Sequence, residues 1–348
     1  MKTNADFLQK KLKDKEAFLI SGKANIYYYS GFTSEDAALY ISKEHKAIIT
    51  DSRYTVQSAE QAKDFEAYIG TVTNFLENAD EETIYFEEKY LSAAEYIALK
   101  NHFSGKKTFS EAQSDISEPR EVKSNEEIKK IAAAEALGDK AFEHILSFIK
   151  PGAREVDLAL EMEFFMRKNG AQSLSFETIC ASGIRGAMPH GTASDKKIES
   201  GDFVTFDFGC VLDGYCSDMT RTVAVGNADK RLSEIYNTVL KAQETAIEKI
   251  KAGEACSSMD AVARDIIKEA GFGEYFGHSL GHSVGLEIHE NPNLSPRSKD
   301  TLKAGNVVTV EPGIYIPSLG GVRIEDVVAV TENGCINLTH SPKELIIL

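Results

Sequence analysis

Long apolar runs, an excess of basic residues and paired cysteines are all missing from this 348-residue chain. No apolar stretch approaches the ~20 residues that span a membrane. Met1–Leu12 alternates polar and apolar residues without the apolar core of a secretory signal, so a cytoplasmic location is expected. Lys and Arg number 39 against 54 Asp and Glu, a formal charge of −15. Attraction to phosphates needs clustered cations, which excludes nucleic acid and anionic membranes as expected partners. The five cysteines, Cys180, Cys210, Cys216, Cys256 and Cys335, are odd in number and form no CxxC pair. They fit reduced thiols packed as small hydrophobes in a reducing compartment. A nucleophile elbow, a P-loop and a dinucleotide fingerprint are absent too, which removes the chemistries those motifs carry.

What is present is the composition of a globular protein, 42% hydrophobic and 27% charged, at a length beyond what one core usually organises. Short β-rich runs at Ala17–Ile20, Ala37–Ile41 and Ala47–Thr50, then a helical pattern over Tyr54–Asp64, predict a small mixed α/β domain. Ser110–Ser124 is polar, loses periodicity and carries Pro119, and is expected to be the linker between domains 1–118 and 119–348. Ser124 and Glu127 form a capping box that opens a helix carrying Ile128, Ile131 and Ala132, and Lys150-Pro151-Gly152 closes the run.

The second half repeats itself. Ile149, Lys150, Gly152 and Gly170 recur as Ile250, Lys251, Gly253 and Gly271, and Gly201–Asp207 is echoed by Gly305–Glu311. Two helix-plus-strand units therefore build a pseudo-symmetric domain of α+β class, and a site between its halves draws ligands from both.

Acids sit at matching places in the two units. A hairpin centred between Leu212 and Asp213 would put Asp207 opposite Asp218. A second hairpin, turning through Pro317–Gly321, brings Glu311 close to opposite Glu325, with Arg323 on the same face. Like charges facing each other on neighbouring strands are destabilising, and buried carboxylates must pair or bind a cation. One arginine cannot neutralise four of them. The glycine-rich stretch Gly277–Glu290 adds His278, His282 and His289, three of the eight histidines, and His190 sits in a loop after Pro189. Spacing alone leaves open which histidine ligates. His45, His102, His144 and His340 read as structural. Four carboxylates with one or two imidazoles suit Mn²⁺, Co²⁺, Fe²⁺ or Zn²⁺, and a pair of such ions makes metal-assisted hydrolysis the expected reaction class.

The strings Pro189-His190-Gly191, Asp207-Phe208-Gly209, Ser217–Thr222, Gly281–Glu290, Glu311–Tyr315 and Gly321–Asp326 resemble those of the Xaa-Pro peptidases, aminopeptidase P and prolidase. The earlier stretch from Tyr29–Phe32 to Thr50–Tyr54 is similar to the creatinase/prolidase N-terminal domain. The resemblance implies a pita-bread catalytic domain and two divalent ions, Mn²⁺ first among them. It makes Asp207, Asp218, His282, Glu311 and Glu325 the ligands, with Asp218 and Glu325 bridging. It implies that His190, His278, His289 and Arg323 surround the substrate, with Tyr315 beside the proline pocket and Glu311 as general base, then acid. It further implies peptide substrates with proline second and a homodimer. The string ending Asp51-Ser52-Arg53-Tyr54 is closer to aminopeptidase P, which sets the expected activity as Xaa-Pro aminopeptidase. Xaa-Pro dipeptidase is the alternative, ahead of methionine aminopeptidase and of a non-catalytic binding protein on the same fold.

Overall fold

A computed structural model describes residues 4–348. The chain divides between Arg120 and Glu121 into two compact units.

The first unit is built on a six-stranded mixed sheet. Its strands run in the order Glu66–Ile69, Lys46–Thr50, Ala37–Ser42, Glu16–Ile20, Thr83–Phe86 and Thr108–Glu111. The central pairs are antiparallel and the outer ones parallel. Both faces are covered: Phe18, Ile20, Leu39 and Ile41 enter one core, while Ala17, Leu19, Ala38 and Tyr40 enter another. Strands buried on both faces read as continuous apolar runs, which is why the sequence exposed them. The helix expected over Tyr54–Asp64 is shorter, Thr55–Gln61 after a 3₁₀ turn at Ser52–Tyr54. Beyond it Ala62 and Phe65 turn inward to the core.

The expected linker is also structured. Within Ser110–Ser124 lie the end of the Thr108–Glu111 strand, a helix at Gln113–Ser117 and a 3₁₀ turn at Glu118–Arg120. Ile116 is fully buried, and Arg120 donates to Asn25 Oδ1 at 2.8 Å. Elements of four or five residues are too short to show a period, so packing ordered what composition left blank.

In the second unit, Ser124 caps the Asn125–Ile145 helix in the expected box with Glu127. Loss of such a cap costs about 1 kcal/mol. The sequence repeat is a repeat of structure. The helices Glu155–Lys168 and Cys256–Glu269 both have 14 residues. The recurring glycines hold left-handed backbone, φ 92° and 90° at Gly152 and Gly253, and 110° and 85° at Gly170 and Gly271. Side chains other than glycine rarely adopt that conformation, which explains the repeat at those points. Each helix pair packs on its own sheet. Leu137, Phe142 and Met162 meet Val204 and Phe206, while Ile235, Val239 and Met259 meet Val308 and Val310. No helix among the described residues is long and apolar enough to cross a membrane.

The first hairpin departs from its expected register. Asp213 and Gly214 both have positive φ, 48° and 83°, and Leu212 pairs with Tyr215. A two-residue loop with both central residues left-handed is the turn that matches strand twist. The turn is thus centred one residue later than expected, and Asp207 pairs with Thr220 instead of Asp218. Asp218 stands two residues before that partner, diagonal to Asp207. In the second hairpin, Val310 pairs with Asp326 and Gly313 with Arg323. That register sets Glu311 opposite Glu325.

Candidate active site

The two hairpins meet in a cavity of about 400 Å³ lined by His190, Asp207, Asp218, His278, His282, His289, Glu311, Arg323 and Glu325, with Phe176, Ile179, Ile288 and Asn293 among its walls. Nine of the ten candidate residues are therefore brought together. Tyr315 stands behind the lining, and its hydroxyl accepts from Arg323 Nη1 at 2.8 Å and lies 2.9 Å from His278 Nε2. His45, His102, His144 and His340 do not line the cavity; His144, for example, is stacked on Phe165 and bonded to Glu161.

The repeat explains why the site is lopsided. Asp207 pairs with Thr220 where Glu311 faces Glu325, so Thr220 and Glu325 are equivalent positions, as are Asp218 and Arg323 two residues earlier. One half supplies a hydroxyl and the other a carboxylate; one supplies an acid and the other a base. The mates bond across the junction. Thr220 Oγ1 donates to Glu325 Oε2 at 2.7 Å and accepts from Arg323 Nε at 3.0 Å. Thr220 was not singled out from the sequence, although it lies inside the Ser217–Thr222 string.

Depth sorts the histidines. His278 and His282 are partly buried, while His190 and His289 are exposed at the rim. His282 Nε2 lies 3.5 Å from both Asp218 Oδ2 and Glu311 Oε1, and its Nδ1 is 3.1 Å from the Ser283 carbonyl. A backbone acceptor on Nδ1 fixes the tautomer that leaves Nε2 free to ligate. Burial, reinforced by neighbouring His289, holds the His282 imidazole down at about 4; burial and the Arg323 charge do the same for His278.

The acids show the opposite effect. Burial first, then the charges of Glu325 and Asp207, pushes the Asp218 carboxyl well above its ordinary range. Burial, followed by the charges of Glu311 and Asp207, does so for Glu325. Glu311 is pushed up to about 8, with Arg323 opposing burial. These groups lack a positive charge that the protein itself does not provide.

The donor set fits a divalent cation. Ligand atoms of Asp218, His282 and Glu325 lie within 4.8 Å of one another. Asp207 Oδ1 is buried with no hydrogen-bond partner, while Oδ2 is taken by Arg323. A buried carboxylate oxygen left open beside three more acids is what a cation would complete.

Sequence reasoning also missed Glu135, which is fully buried and accepts from the Asp218 backbone N–H at 2.8 Å. Its signal was legible: a carboxylate on the stripe of Ile131, Gly138, Phe142 and Ile145, where an apolar residue belongs.

Comparison with known proteins gives a concordant picture. A family model described as metallopeptidase family M24 matches residues 129–332, and one for the creatinase/prolidase N-terminal domain matches residues 6–122. The chain is 41% identical over 340 residues to an Xaa-Pro dipeptidase of Pyrococcus furiosus, covering 94% of both chains. It superposes on an Xaa-Pro dipeptidase from Bacillus anthracis with a TM-score of 0.95 at 45% identity, covering 99% of each. An X-Pro aminopeptidase from Thermotoga maritima gives a TM-score of 0.92 at 38% identity, again over 99% of each.

Proposed function

The chain belongs to metallopeptidase family M24, carries the pita-bread fold with a creatinase/prolidase N-terminal domain and is a metallo-exopeptidase; within that family we propose that it is an Xaa-Pro dipeptidase with two divalent ions. The observation that carries the metal reading is the open, buried Oδ1 of Asp207 beside Asp218, Glu311 and Glu325. The dipeptide limit is supported by two relatives described as Xaa-Pro dipeptidases, at 45% and 41% identity against 38% for the X-Pro aminopeptidase. This reverses the preference for aminopeptidase P drawn from the Asp51–Tyr54 string. Mn²⁺ as the ion and a homodimer rest on the family resemblance, and a cytoplasmic location on five cysteines without a CxxC pair.

In this reading Asp207, Asp218, His282, Glu311 and Glu325 would hold the ions. A pair of divalent ions supplies Lewis acidity and a water deprotonated at neutral pH. Glu311 takes a proton from the attacking water and returns it to the departing prolyl nitrogen. His190 and His289, exposed at the rim, hold the scissile carbonyl and donate to its oxygen as charge develops. His278, backed by Tyr315, forms the wall beside the proline ring. Arg323 has all three guanidinium nitrogens engaged, by Thr220, by Tyr315 and Pro189, and by Asp207. Its part is charge relief and orientation of Tyr315, and it lines the cavity where the resemblance puts it against the substrate.

The test offers Mn²⁺-loaded enzyme an Xaa-Pro dipeptide and an Xaa-Pro-Yaa tripeptide and follows the products by chromatography. The dipeptide should be cleaved and the tripeptide left intact. Equal cleavage of both would restore the aminopeptidase reading, and cleavage of neither would remove the Xaa-Pro assignment.

A further inference from the structure

Glu135 lies midway along the Asn125–Ile145 helix, fully buried, and does not line the cavity. It touches neither substrate space nor solvent, so the reason for a carboxylate there lies in its two bonds. One oxygen accepts from the Asp218 backbone N–H at 2.8 Å. The other accepts from Thr339 Oγ1 at 3.0 Å, and the same hydroxyl accepts from the Val327 N–H at 2.9 Å. Asp218 leads into the Met219–Ala224 strand of the first hairpin, and Val327 lies two residues after Glu325 in the second. A single side chain therefore links the backbones that present two facing acids from opposite halves of the repeat.

The segment that carries Thr339 is held firmly enough to act as a strut. Asp139, one turn further along the helix, accepts from the Ser341 N–H at 2.7 Å and from Ser341 Oγ at 2.6 Å. From the other side, Arg221 donates to the Ser341 carbonyl at 2.8 Å, to the Pro342 carbonyl at 3.0 Å and to the Glu325 carbonyl at 2.5 Å. Asp218 and Glu325 repel each other, and without such restraint they would drift apart whenever no cation stood between them.

We infer that Glu135 is a positioning residue of the metal centre: through the Asp218 backbone and through Thr339 it fixes the separation of Asp218 and Glu325 before any ion binds. The inference rests on the metallopeptidase reading. Groups that orient ligands from outside the coordination sphere typically change metal affinity about 10–100-fold when removed.

The experiment titrates metal-stripped protein with Mn²⁺ by calorimetry and records the visible spectrum of the Co²⁺-loaded form, whose bands report coordination geometry. Glu135→Ala and Thr339→Val should weaken Mn²⁺ binding about 10–100-fold and shift the Co²⁺ bands. Glu135→Gln keeps the shape and an amide oxygen for the Asp218 N–H, and should recover most of the affinity. Ile131→Ala, which opens a cavity one turn earlier on the same helix, should lower Tm but leave affinity and spectrum unchanged. Should Glu135→Ala fail to fold, the shape-preserving Thr339→Val and Glu135→Gln decide the matter. Affinity that falls with Tm alike in Glu135→Ala and Ile131→Ala, or a wild-type Co²⁺ spectrum in Thr339→Val, would overturn the inference. Wild-type protein that binds no Mn²⁺ would overturn the metal reading itself, an outcome distinct from wild-type binding with unperturbed variants.

Discussion

Arg323 and Asp207 stand on different hairpins, and Nη2 of the first donates to Oδ2 of the second at 2.6 Å while Oδ1 of Asp207 is left buried and open. The arginine thus offsets half of one carboxylate and leaves the other half for a cation. Lysine carries the same charge on a point donor and cannot bond Asp207, Tyr315 and Thr220 together. Arg323→Lys should keep its ions by metal analysis yet lose about tenfold or more in kcat/KM, the loss of a geometric fork. Unchanged kcat/KM would reduce Arg323 to a generic counter-charge.

The corrected register separates the two cavity acids Asp218 and Glu325 from a turn acid. Asp218→Ala and Glu325→Ala should each lower turnover by at least about 10²-fold, with metal content reduced. Asp213 is exposed at φ 48° in the turn, so Asp213→Asn tests it without the strain alanine would add. That variant should have near-wild-type activity; a comparable loss would mean that the turn, not the cavity, governs the site.

His282 and His289 are neighbours, their rings 4.5 Å apart and nearly perpendicular, but their exposures differ. His289→Ala should keep both ions and fall about 10²–10³-fold in turnover, as for a lost oxyanion donor. His282→Ala should weaken one ion in a calorimetric titration. If the metal loss followed His289 instead, the two roles would have to be exchanged.

Metal removal should make stability depend on pH with a definite sign. The folded chain holds the Glu311 proton up to about 8, whereas the unfolded chain releases it near the ordinary 4.5. Between those values the folded state binds more protons, so its stability falls as pH rises. Glu135, pushed up to about 8 by burial, adds the same sign. His278 and His282, held at about 4 from 6.5, act oppositely but only below 6.5. Thermal melts of chelator-treated protein should therefore show Tm decreasing from pH 6.5 to 8, and added Mn²⁺ should restore more at pH 8 than at 6.5. A Tm gain from Mn²⁺ independent of pH would show that these carboxylates do not exchange protons for metal.

The sequence by itself determined the longer elements and the residue types of the site. Apolar runs, the Ser124–Glu127 cap and the glycine repeat needed only local rules, because caps and left-handed turns are decided within a few residues. Asp207, Asp218, Glu311 and Glu325 were legible as types, since acids flanked by apolar neighbours must be compensated, whereas Tyr315 came only from the family resemblance. Tertiary structure decided the rest. Only the conformation of Asp213-Gly214 fixed the register, which moved the partner of Asp207 from Asp218 to Thr220. Only the meeting of two hairpins set the Arg323 guanidinium against Thr220, Tyr315, Pro189 and Asp207 at once. And only long-range packing, across 83 and 204 residues of chain, joined Glu135 to Asp218 and to Thr339. Sequence spacing carries no record of such contacts, because they follow from which faces of distant elements bury each other.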